Sequence, residues 1–153
     1  MAGSFTQSYQ HLVFAVKYRN ALIDPSWEAR LYNYIAGILQ EHKHRCISIN
    51  GTTDHIHILL ALHGEQGYSD MVRNVKGSSS RWLNQEKLPK SKFAWQAGYG
   101  LFSVDGGNMQ RLLEYIANQK EHHKKVSFQE EYRLLLKRNG IEFQDDWLFE
   151  DPE

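Results

Sequence analysis

Two histidines stand two positions apart in a short apolar stretch, Thr53-Asp54-His55-Ile56-His57-Ile58-Leu59-Leu60. Its β-branched and apolar residues, which follow a Thr-Thr-Asp turn, predict a strand. Because side chains alternate across a strand, His55 and His57 share one face, about 7 Å apart along the backbone, and the isoleucines share the other. Two imidazoles at that spacing can bind one divalent metal, although two histidines on a strand can equally be ordinary half-exposed residues.

A second polar group follows helical spacing later in the chain. Tyr115, Gln119 and His122 are separated by four and three residues, so they form a stripe on one helical face. The amide oxygen of Gln119 can complete a set of two nitrogens and one oxygen, which suits Mg²⁺ or Mn²⁺ acting on a phosphate. A cation beside Tyr115 would stabilise its anion, since a free phenol, with a pKa of about 10, is a weak nucleophile. Alone, the Tyr-x-x-x-Gln spacing is equally typical of a structural helix.

The elements that must position these residues are predicted from periodicity. Alternation predicts strands over residues 11–18, 45–49, 53–60 and 93–102, and helical spacing predicts helices over about 25–42, 69–83, 109–122 and 128–138. The order β-α-β-β-α-β indicates an α+β, ferredoxin-like (RRM-like) antiparallel sheet with two additional C-terminal helices. The first two helices cover one sheet face, so the third is the natural cover for the histidine face.

Local signals set the expected boundaries of these elements. The predicted helix caps are Asp24, with Pro25 at the first helical position, Ser69, Asn108 and Ser127. Asn50-Gly51 predicts a tight turn between the second and third strands. Gly98 and Gly100 predict a bend or a close approach within the fourth strand. Gly106-Gly107 predicts a flexible linker before the third helix.

Length and composition indicate one domain over residues 1–153, with a core of about 8–126 and a C-terminal helix and acidic tail of about 127–153. No apolar run approaches the roughly 18 residues of a membrane span, and no signal peptide is evident. Cys46 is the single cysteine and cannot form an internal disulfide. These features predict a cytoplasmic protein.

The charge is unevenly distributed, although the formal net charge is zero. Residues 141–153 hold six acids and no Lys or Arg, which leaves +6 on residues 1–140. A basic body is compatible with a polyanionic partner. Arg73, Lys76 and Arg81 lie among serines on the predicted second helix, either as a solvated face or as phosphate contacts. We predict that these three residues and Lys120 contact DNA.

The combination of motifs resembles the single-tyrosine HUH (histidine, hydrophobic residue, histidine) transposases of the IS200/IS605 group of insertion sequences. The resemblance covers nearly the whole chain. The residues that carry it are His11-Leu12-Val13-Phe14 with Lys17-Tyr18-Arg19, Asp54-His55-Ile56-His57-Ile58-Leu59, Phe93-Ala94-Trp95-Gln96-Ala97-Gly98-Tyr99 and Glu114-Tyr115-Ile116-Ala117-Asn118-Gln119. The tail, from Phe128-Gln129-Glu130-Glu131-Tyr132 to Gly140-Ile141-Glu142, also resembles family members.

This resemblance implies a homodimer that acts on single-stranded DNA with hairpin ends. It implies that His55, His57 and Gln119 hold a divalent metal, Mg²⁺ or Mn²⁺, and that Tyr115 attacks a phosphodiester. The products would be a 5′-phosphotyrosine and a free 3′-hydroxyl, which can later reverse the reaction on another strand without ATP. The helix of Tyr115 could complete its own site or that of its partner.

Two other hypotheses remain open. A ferredoxin-like module without chemistry could bind nucleic acid through aromatic residues on its sheet, which predicts binding without cleavage. A relative domesticated by its host could share the chemistry but act on repeated chromosomal hairpins.

Overall fold

The computed structural model describes residues 2–153, which form a four-stranded sheet and five α-helices. The strands are β1 (Tyr9–Ala15), β2 (Arg45–Gly51), β3 (His55–Ala61) and β4 (Gly100–Val104). The helices are α1 (Glu28–Glu41), α2 (Tyr68–Glu86), α3 (Met109–Ala117), α4 (Gln119–His122) and α5 (Phe128–Arg138).

The sheet has the order β2-β3-β1-β4, and every neighbouring pair is antiparallel. With α1 between β1 and β2 and α2 between β3 and β4, this is the ferredoxin-like arrangement that the sequence predicts. No helix within residues 2–153 is both long and apolar enough to cross a membrane.

The two faces of the sheet differ in chemistry. Phe14 and Ile56 are paired on one face, where the Phe14 ring meets Trp95 and the Trp95 indole donates to Ser79 of α2 at 3.0 Å. The core lies here, and its largest fully buried side chains include Phe14, Phe93, Leu12, Leu31, Ile35, Ile56 and Ile58. His55 and His57 point to the other face, beneath α3, α4 and α5.

The helices over the histidine face contact the sheet at both of its edge strands, β2 and β4. Asn50 of β2 donates through Nδ2 to the carbonyls of Ile116 (2.9 Å) and Ala117 (3.2 Å) at the end of α3. At the opposite edge, Gly100 of β4 lies against Tyr132 of α5, and a Cβ at Gly100 would approach that ring to 2.8 Å. The prediction of a close approach at this glycine is confirmed.

Asn50-Gly51 is not the turn that we expected. Strand β2 continues through Gly51, and the turn lies at Thr52–Asp54. Asn50 instead binds the last carbonyls of α3. The predicted third helix is interrupted at this point: α3 ends at Ala117, and α4 begins at Gln119.

The expected starts of the first two helices are also corrected. Asp24 accepts the Ser26 N–H at 2.8 Å in a local turn, which delays α1 until Glu28. Helix α2 begins at Tyr68 with Gly67 as its cap, so Ser69 is already inside the helix. The Ser127 cap is confirmed, because its hydroxyl accepts the Glu130 N–H at 3.2 Å.

The predicted fourth strand is too long, because residues 93–99 leave the regular sheet. Val16 pairs with Trp95 in an isolated bridge, and β4 begins only at Gly100. Lys76 of α2 holds this segment through bonds from Nζ to the carbonyls of Gln96 (2.8 Å) and Gly98 (2.6 Å). Gly98 has φ +87°, so the bend predicted from the glycines is confirmed.

The acidic tail packs onto the body, as its apolar residues predict. Gln96 exchanges two hydrogen bonds with the Glu150 backbone, at 2.6 and 3.0 Å. The Glu153 N–H donates to the Lys17 carbonyl at 2.8 Å. Phe149 is buried against the rings of Phe128 and Tyr132 of α5.

Candidate active site

His55 and His57 are fully buried, and each has one ring nitrogen held by a neighbouring group. Nδ1 of His55 lies 2.7 Å from Asp54 Oδ1 and 3.0 Å from the Thr52 hydroxyl. Nδ1 of His57 lies 2.8 Å from Nε2 of the buried His11 on β1. These contacts orient both Nε2 atoms toward α4 and α5, which is the role that partners of this kind have around metal-binding histidines.

The Nε2 atoms of His55 and His57, together with Nε2 of His123, surround one carboxylate oxygen of Glu131 on α5. Glu131 Oε1 lies 2.9 Å from His57 Nε2, 3.0 Å from His123 Nε2 and 3.4 Å from His55 Nε2. The Nδ1 atom of His123 is also held, 2.7 Å from the Val126 carbonyl. These four side chains form the cluster that could hold an ion, since one ligand atom from each lies within 4.8 Å of the others.

The second oxygen of Glu131 reaches the candidate nucleophile. Oε2 accepts hydrogen bonds from the Tyr115 hydroxyl and from Gln119 Nε2, the latter at 2.8 Å. The amide oxygen of Gln119 faces His55 Nε2 at 3.1 Å. A single carboxylate therefore connects the histidines to Tyr115, with Gln119 bridging the two sides.

The cluster has strongly coupled electrostatics. Burial opposes ionisation of Glu131, but hydrogen bonds from His123, His55 and His57 outweigh it and hold the Glu131 pKa well below its usual range. Burial lowers the pKa of His57 to about 4, against the opposing effect of Glu131. Burial and the charge of His57 lower the pKa of His11 to about 3.

Tyr115 is difficult to ionise in this environment. Burial and the negative charge of Glu131 raise the Tyr115 pKa, while the Gln119 hydrogen bond and the charge of Arg138 lower it. The phenol therefore stays protonated at neutral pH and donates to Glu131. A nucleophilic role for Tyr115 would therefore need a proton acceptor or a cation close to the oxygen.

The donor pattern fits a bound cation. Nδ1 of His123 faces a carbonyl oxygen, which can only accept, so this nitrogen carries the hydrogen. Nε2 of a neutral His123 is then an acceptor, 3.0 Å from a carboxylate oxygen. His55 has the same conflict, because its Nδ1 faces Asp54. Two acceptors this close repel each other unless a proton or a metal ion lies between them. Histidine nitrogens with carboxylate and amide oxygens are ligands for divalent metals.

The predicted nucleophile and the three predicted metal ligands meet in one chain. Tyr115 and Gln119 reach the same Glu131 that contacts His55 and His57. The expected Gly106-Gly107 linker is a short 3₁₀ turn, with Asp105 accepting the Gly107 N–H at 3.3 Å. Tyr115 therefore joins the histidines of its own chain.

The predicted DNA-contact residues lie outside this cluster. Arg73, Lys76 and Arg81 belong to α2, on the other side of the sheet. Arg73 is paired with Asp70, and Lys76 binds the carbonyls of residues 96 and 98. Lys120 pairs with Glu28 at 2.9 Å and lines a cavity of about 610 Å³ beside His123.

Sequence reasoning missed His11, His123 and Glu131. A signal existed for Glu131, because it follows Phe128 by three residues and precedes Leu135 by four, so it falls on the apolar face of α5. The predicted stripe instead continued to His122, which is half-buried and lies 3.4 Å from Glu131 Oε2. The interruption at Asn118 brings His123 onto Oε1.

The span that contains both histidines, Tyr115 and Gln119 matches a known family. The family model described as "Transposase IS200 like" matches residues 4–119. The chain belongs to this family. It is a transposase of the Y1 tyrosine type, related to insertion-sequence transposases.

Relatives of this transposase agree with the assignment. The ISDra2 transposase TnpA of Deinococcus radiodurans is 26% identical over 125 residues, 78% of this chain and 89% of that protein. The transposase of insertion sequence element IS200 from Salmonella typhimurium is 28% identical over 120 residues, covering 74% and 78%. A solved REP-associated tyrosine transposase, bound to a REP hairpin, has a TM-score of 0.60 at 13% identity, covers 98% of this chain and 91% of its own, and supports the fold.

Proposed function

We propose that this transposase cuts and rejoins single-stranded DNA through a covalent bond to Tyr115. The observation that carries the proposal is the carboxylate of Glu131, which binds the Tyr115 hydroxyl on one oxygen and the imidazoles of His57 and His123 on the other. A nucleophile and a set of metal-ligand side chains are thereby held within one small volume. Tyr115 is half-buried, so DNA can reach it from solvent.

The proposed reaction is a transesterification at phosphorus. The Tyr115 oxygen forms a bond to the phosphorus of a phosphodiester, and the bond from phosphorus to the 3′-oxygen breaks. The phenol proton passes along its existing hydrogen bond to Glu131, and the 3′-oxygen takes a proton from solvent. Glu131 relays this proton rather than keeping it, because its pKa is held well below the usual range, and half-buried His122 lies 3.4 Å from the same oxygen on the side of solvent. Attack by a 3′-hydroxyl on the phosphotyrosine reverses these steps.

A divalent metal, Mg²⁺ or Mn²⁺, would be held by His55, His57 and Gln119, with Glu131 and His123 as additional ligand candidates. When bound, it would stabilise negative charge on the phosphate and on the leaving 3′-oxygen. Glu131 is the one carboxylate among these groups, and its negative charge favours cation binding.

The proposed DNA partner carries a hairpin. The REP-associated transposase that aligns with 98% of this chain was solved on a REP hairpin. Arg73, Arg81 and Lys120 remain our proposed contacts to such DNA, whereas Lys76 has its ammonium group on two carbonyls. The homodimer and the cytoplasmic location remain predictions. The candidate catalytic residues Tyr115, His55, His57 and Gln119 lie together within one chain.

Two narrower alternatives make different predictions. A module without chemistry would bind DNA but leave no covalent adduct. A domesticated relative would cut hairpins repeated in its own chromosome and lack element ends around its gene. The alignment over nearly the full length of the REP-associated transposase makes the second alternative worth testing on chromosomal hairpins.

The test is a cleavage assay with single-stranded DNA that carries the sequence flanking the gene. Wild-type protein should cut this DNA with Mg²⁺ or Mn²⁺ and be inactive with EDTA. His57→Ala should lose cleavage. His63→Ala is the matched control, because His63 is exposed beyond the end of β3, outside the cluster, and should leave cleavage unchanged. Cleavage by His57→Ala at the wild-type rate would contradict the proposal.

A further inference from the structure

A second cavity adjoins Tyr115 and does not include the metal-ligand candidates His55 and His57. It has a volume of about 300 Å³ and lies between α3 and α5, above β4. Phe102 and Leu135, both buried, contribute apolar surface, and Tyr115 forms part of one wall. Its volume is at the lower end of the range of ligand pockets.

Two arginines line this cavity, one from each helix. Arg111 of α3 and Arg138 of α5 are exposed, and neither has an ion-pair partner within residues 2–153. Arg133, also on α5, is by contrast paired with Asp145. The carboxylate that lines the cavity, Asp105, accepts the Gly107 N–H. Unpaired guanidinium groups beside an apolar pocket suit a nucleotide, because arginine pairs with phosphate and the flat face of a base can pack on apolar side chains.

The spacing of these groups relative to Tyr115 matches a strand that leaves the reacting phosphate. Arg111 precedes Tyr115 by four residues, about 6 Å along the axis of α3. A phosphate bonded to Tyr115 and a second phosphate at Arg111 would therefore lie along the same helix. The nucleoside between them would face Phe102 and Leu112 in the cavity.

We infer that this cavity binds the nucleotide on the 3′ side of the cut, whose 5′-phosphate becomes bonded to Tyr115. The inference rests on the proposed cleavage. In a displacement at phosphorus, the entering and leaving oxygens lie on opposite sides. The nucleotide that leaves with the 3′-oxygen is therefore directed away from Tyr115. The retained nucleotide stays attached to Tyr115, which lines the cavity.

Binding of short products tests this inference without cleavage. The protein is Tyr115→Phe, and the probes are a thymidine dinucleotide with a 5′-phosphate and the same dinucleotide with a 3′-phosphate. We expect the 5′-phosphorylated probe to bind at least tenfold more tightly. Amide NMR shifts should be largest at Phe102, Leu112 and Leu135. Similar affinities for the two probes, or shifts confined to another surface, would overturn the assignment.

A double variant tests the two guanidinium groups. Arg111→Gln with Arg138→Gln should weaken the 5′-phosphorylated probe at least tenfold and reduce the salt slope by about 0.7 for each phosphate that is no longer neutralised. Arg133→Gln, on the same helix but outside the cavity, is the matched control and should bind like the parent. Equal affinity of the double variant and this control would contradict the inference. Because the arginines are exposed, amide shifts far from the cavity should stay unchanged.

The proposed function and this inference can fail separately. If the protein binds the 5′-phosphorylated dinucleotide in the cavity but never cuts DNA, the cleavage proposal is refuted, whereas the cavity is still a nucleotide site. Cleavage by a protein that binds neither dinucleotide in the cavity would refute the inference alone.

Discussion

Removal of the Glu131 carboxylate should affect both stability and metal binding. Glu131 is 2% exposed and receives hydrogen bonds from Tyr115 and Gln119 on one oxygen and faces His57 and His123 on the other. Glu131→Ala leaves the Tyr115 hydroxyl and Gln119 Nε2 without their acceptor and removes the carboxylate that faces the two imidazoles. A polar group that loses its hydrogen-bond partner in a buried site costs about 1–3 kcal/mol. Two donors lose theirs, so the free energy of unfolding should fall by about 4 kcal/mol. With a urea m value of about 2 kcal/mol/M, the midpoint should fall by about 2 M.

Glu131→Gln separates charge from shape. Its amide oxygen can accept from Tyr115, and its NH₂ can donate to Nε2 of a neutral His57 or His123, so the loss of stability should be about 1 kcal/mol. Metal binding should suffer more. At a Mn²⁺ concentration of about 100 times Kd, the wild type gains about 2.7 kcal/mol. A hundredfold weaker site would gain only about 0.4 kcal/mol at the same concentration.

The assay is urea unfolding followed by tryptophan fluorescence, with EDTA and with Mn²⁺. Glu130→Gln is the matched control, because Glu130 is the exposed neighbour of Glu131 on the same helix. We expect this control to match the wild type under both conditions. Equal midpoints for Glu131→Ala and Glu130→Gln, or full Mn²⁺ stabilisation of Glu131→Gln, would refute the central place given to this carboxylate.

Three further predictions follow from the same contacts. In EDTA, the free energy of unfolding should fall from pH 7 to pH 5 by about 2 kcal/mol for each of His11 and His57. Their folded pKa values of about 3 and about 4 lie below the unfolded value of 6.5, so the unfolded chain takes up protons first. Burial opposes protonation of His55, but its hydrogen bonds to Asp54 and Glu131 outweigh burial and raise the His55 pKa, which offsets part of this loss. Urea melts at the two pH values check this, and a flat profile would contradict it. We propose that both groups act within one chain, where they meet on the same Glu131, so mixing His57→Ala and Tyr115→Phe chains should restore no cleavage; restored cleavage would indicate exchanged helices. Lys76→Met should lower stability by about 1–3 kcal/mol without changing the salt slope of DNA binding, whereas Arg81→Gln should reduce that slope by about 0.7; the reverse pattern would exchange the roles assigned to them.

Periodic patterns predicted the sheet and the position of the histidines on it. The alternation of isoleucine with histidine in β3 fixes which face is buried against α2, and the register with β1 agrees. The four-residue spacing of Tyr115 and Gln119 predicted that they share the site. They do meet, because the interruption of the helix at Asn118 is short enough to keep both side chains on one face. These are local regularities, and local regularities can be read from the sequence.

The parts that were missed depend on contacts distant in sequence. Glu131 meets His57 across 74 residues, and no spacing rule connects them. Asn50-Gly51 has the composition of a turn, but tertiary bonds from Asn50 to α3 keep it in β2. The segment before Gly100 alternates like a strand, yet the ammonium of Lys76 holds its carbonyls. In each case a partner elsewhere in the chain overrides the local preference.

Trapping the covalent intermediate tests the central claim most directly. The chain has eight tyrosines, and within residues 2–153 only Tyr115 donates a hydrogen bond to Glu131 of the cluster. Wild-type protein is incubated with Mn²⁺ and single-stranded flanking DNA labelled at either end, and the adduct is digested and mapped by mass spectrometry. We predict DNA attached through a 5′-phosphate to Tyr115, with only the 3′-labelled fragment bound to protein, and no adduct from Tyr115→Phe. Attachment to another tyrosine, or cleavage by Tyr115→Phe, would contradict the account.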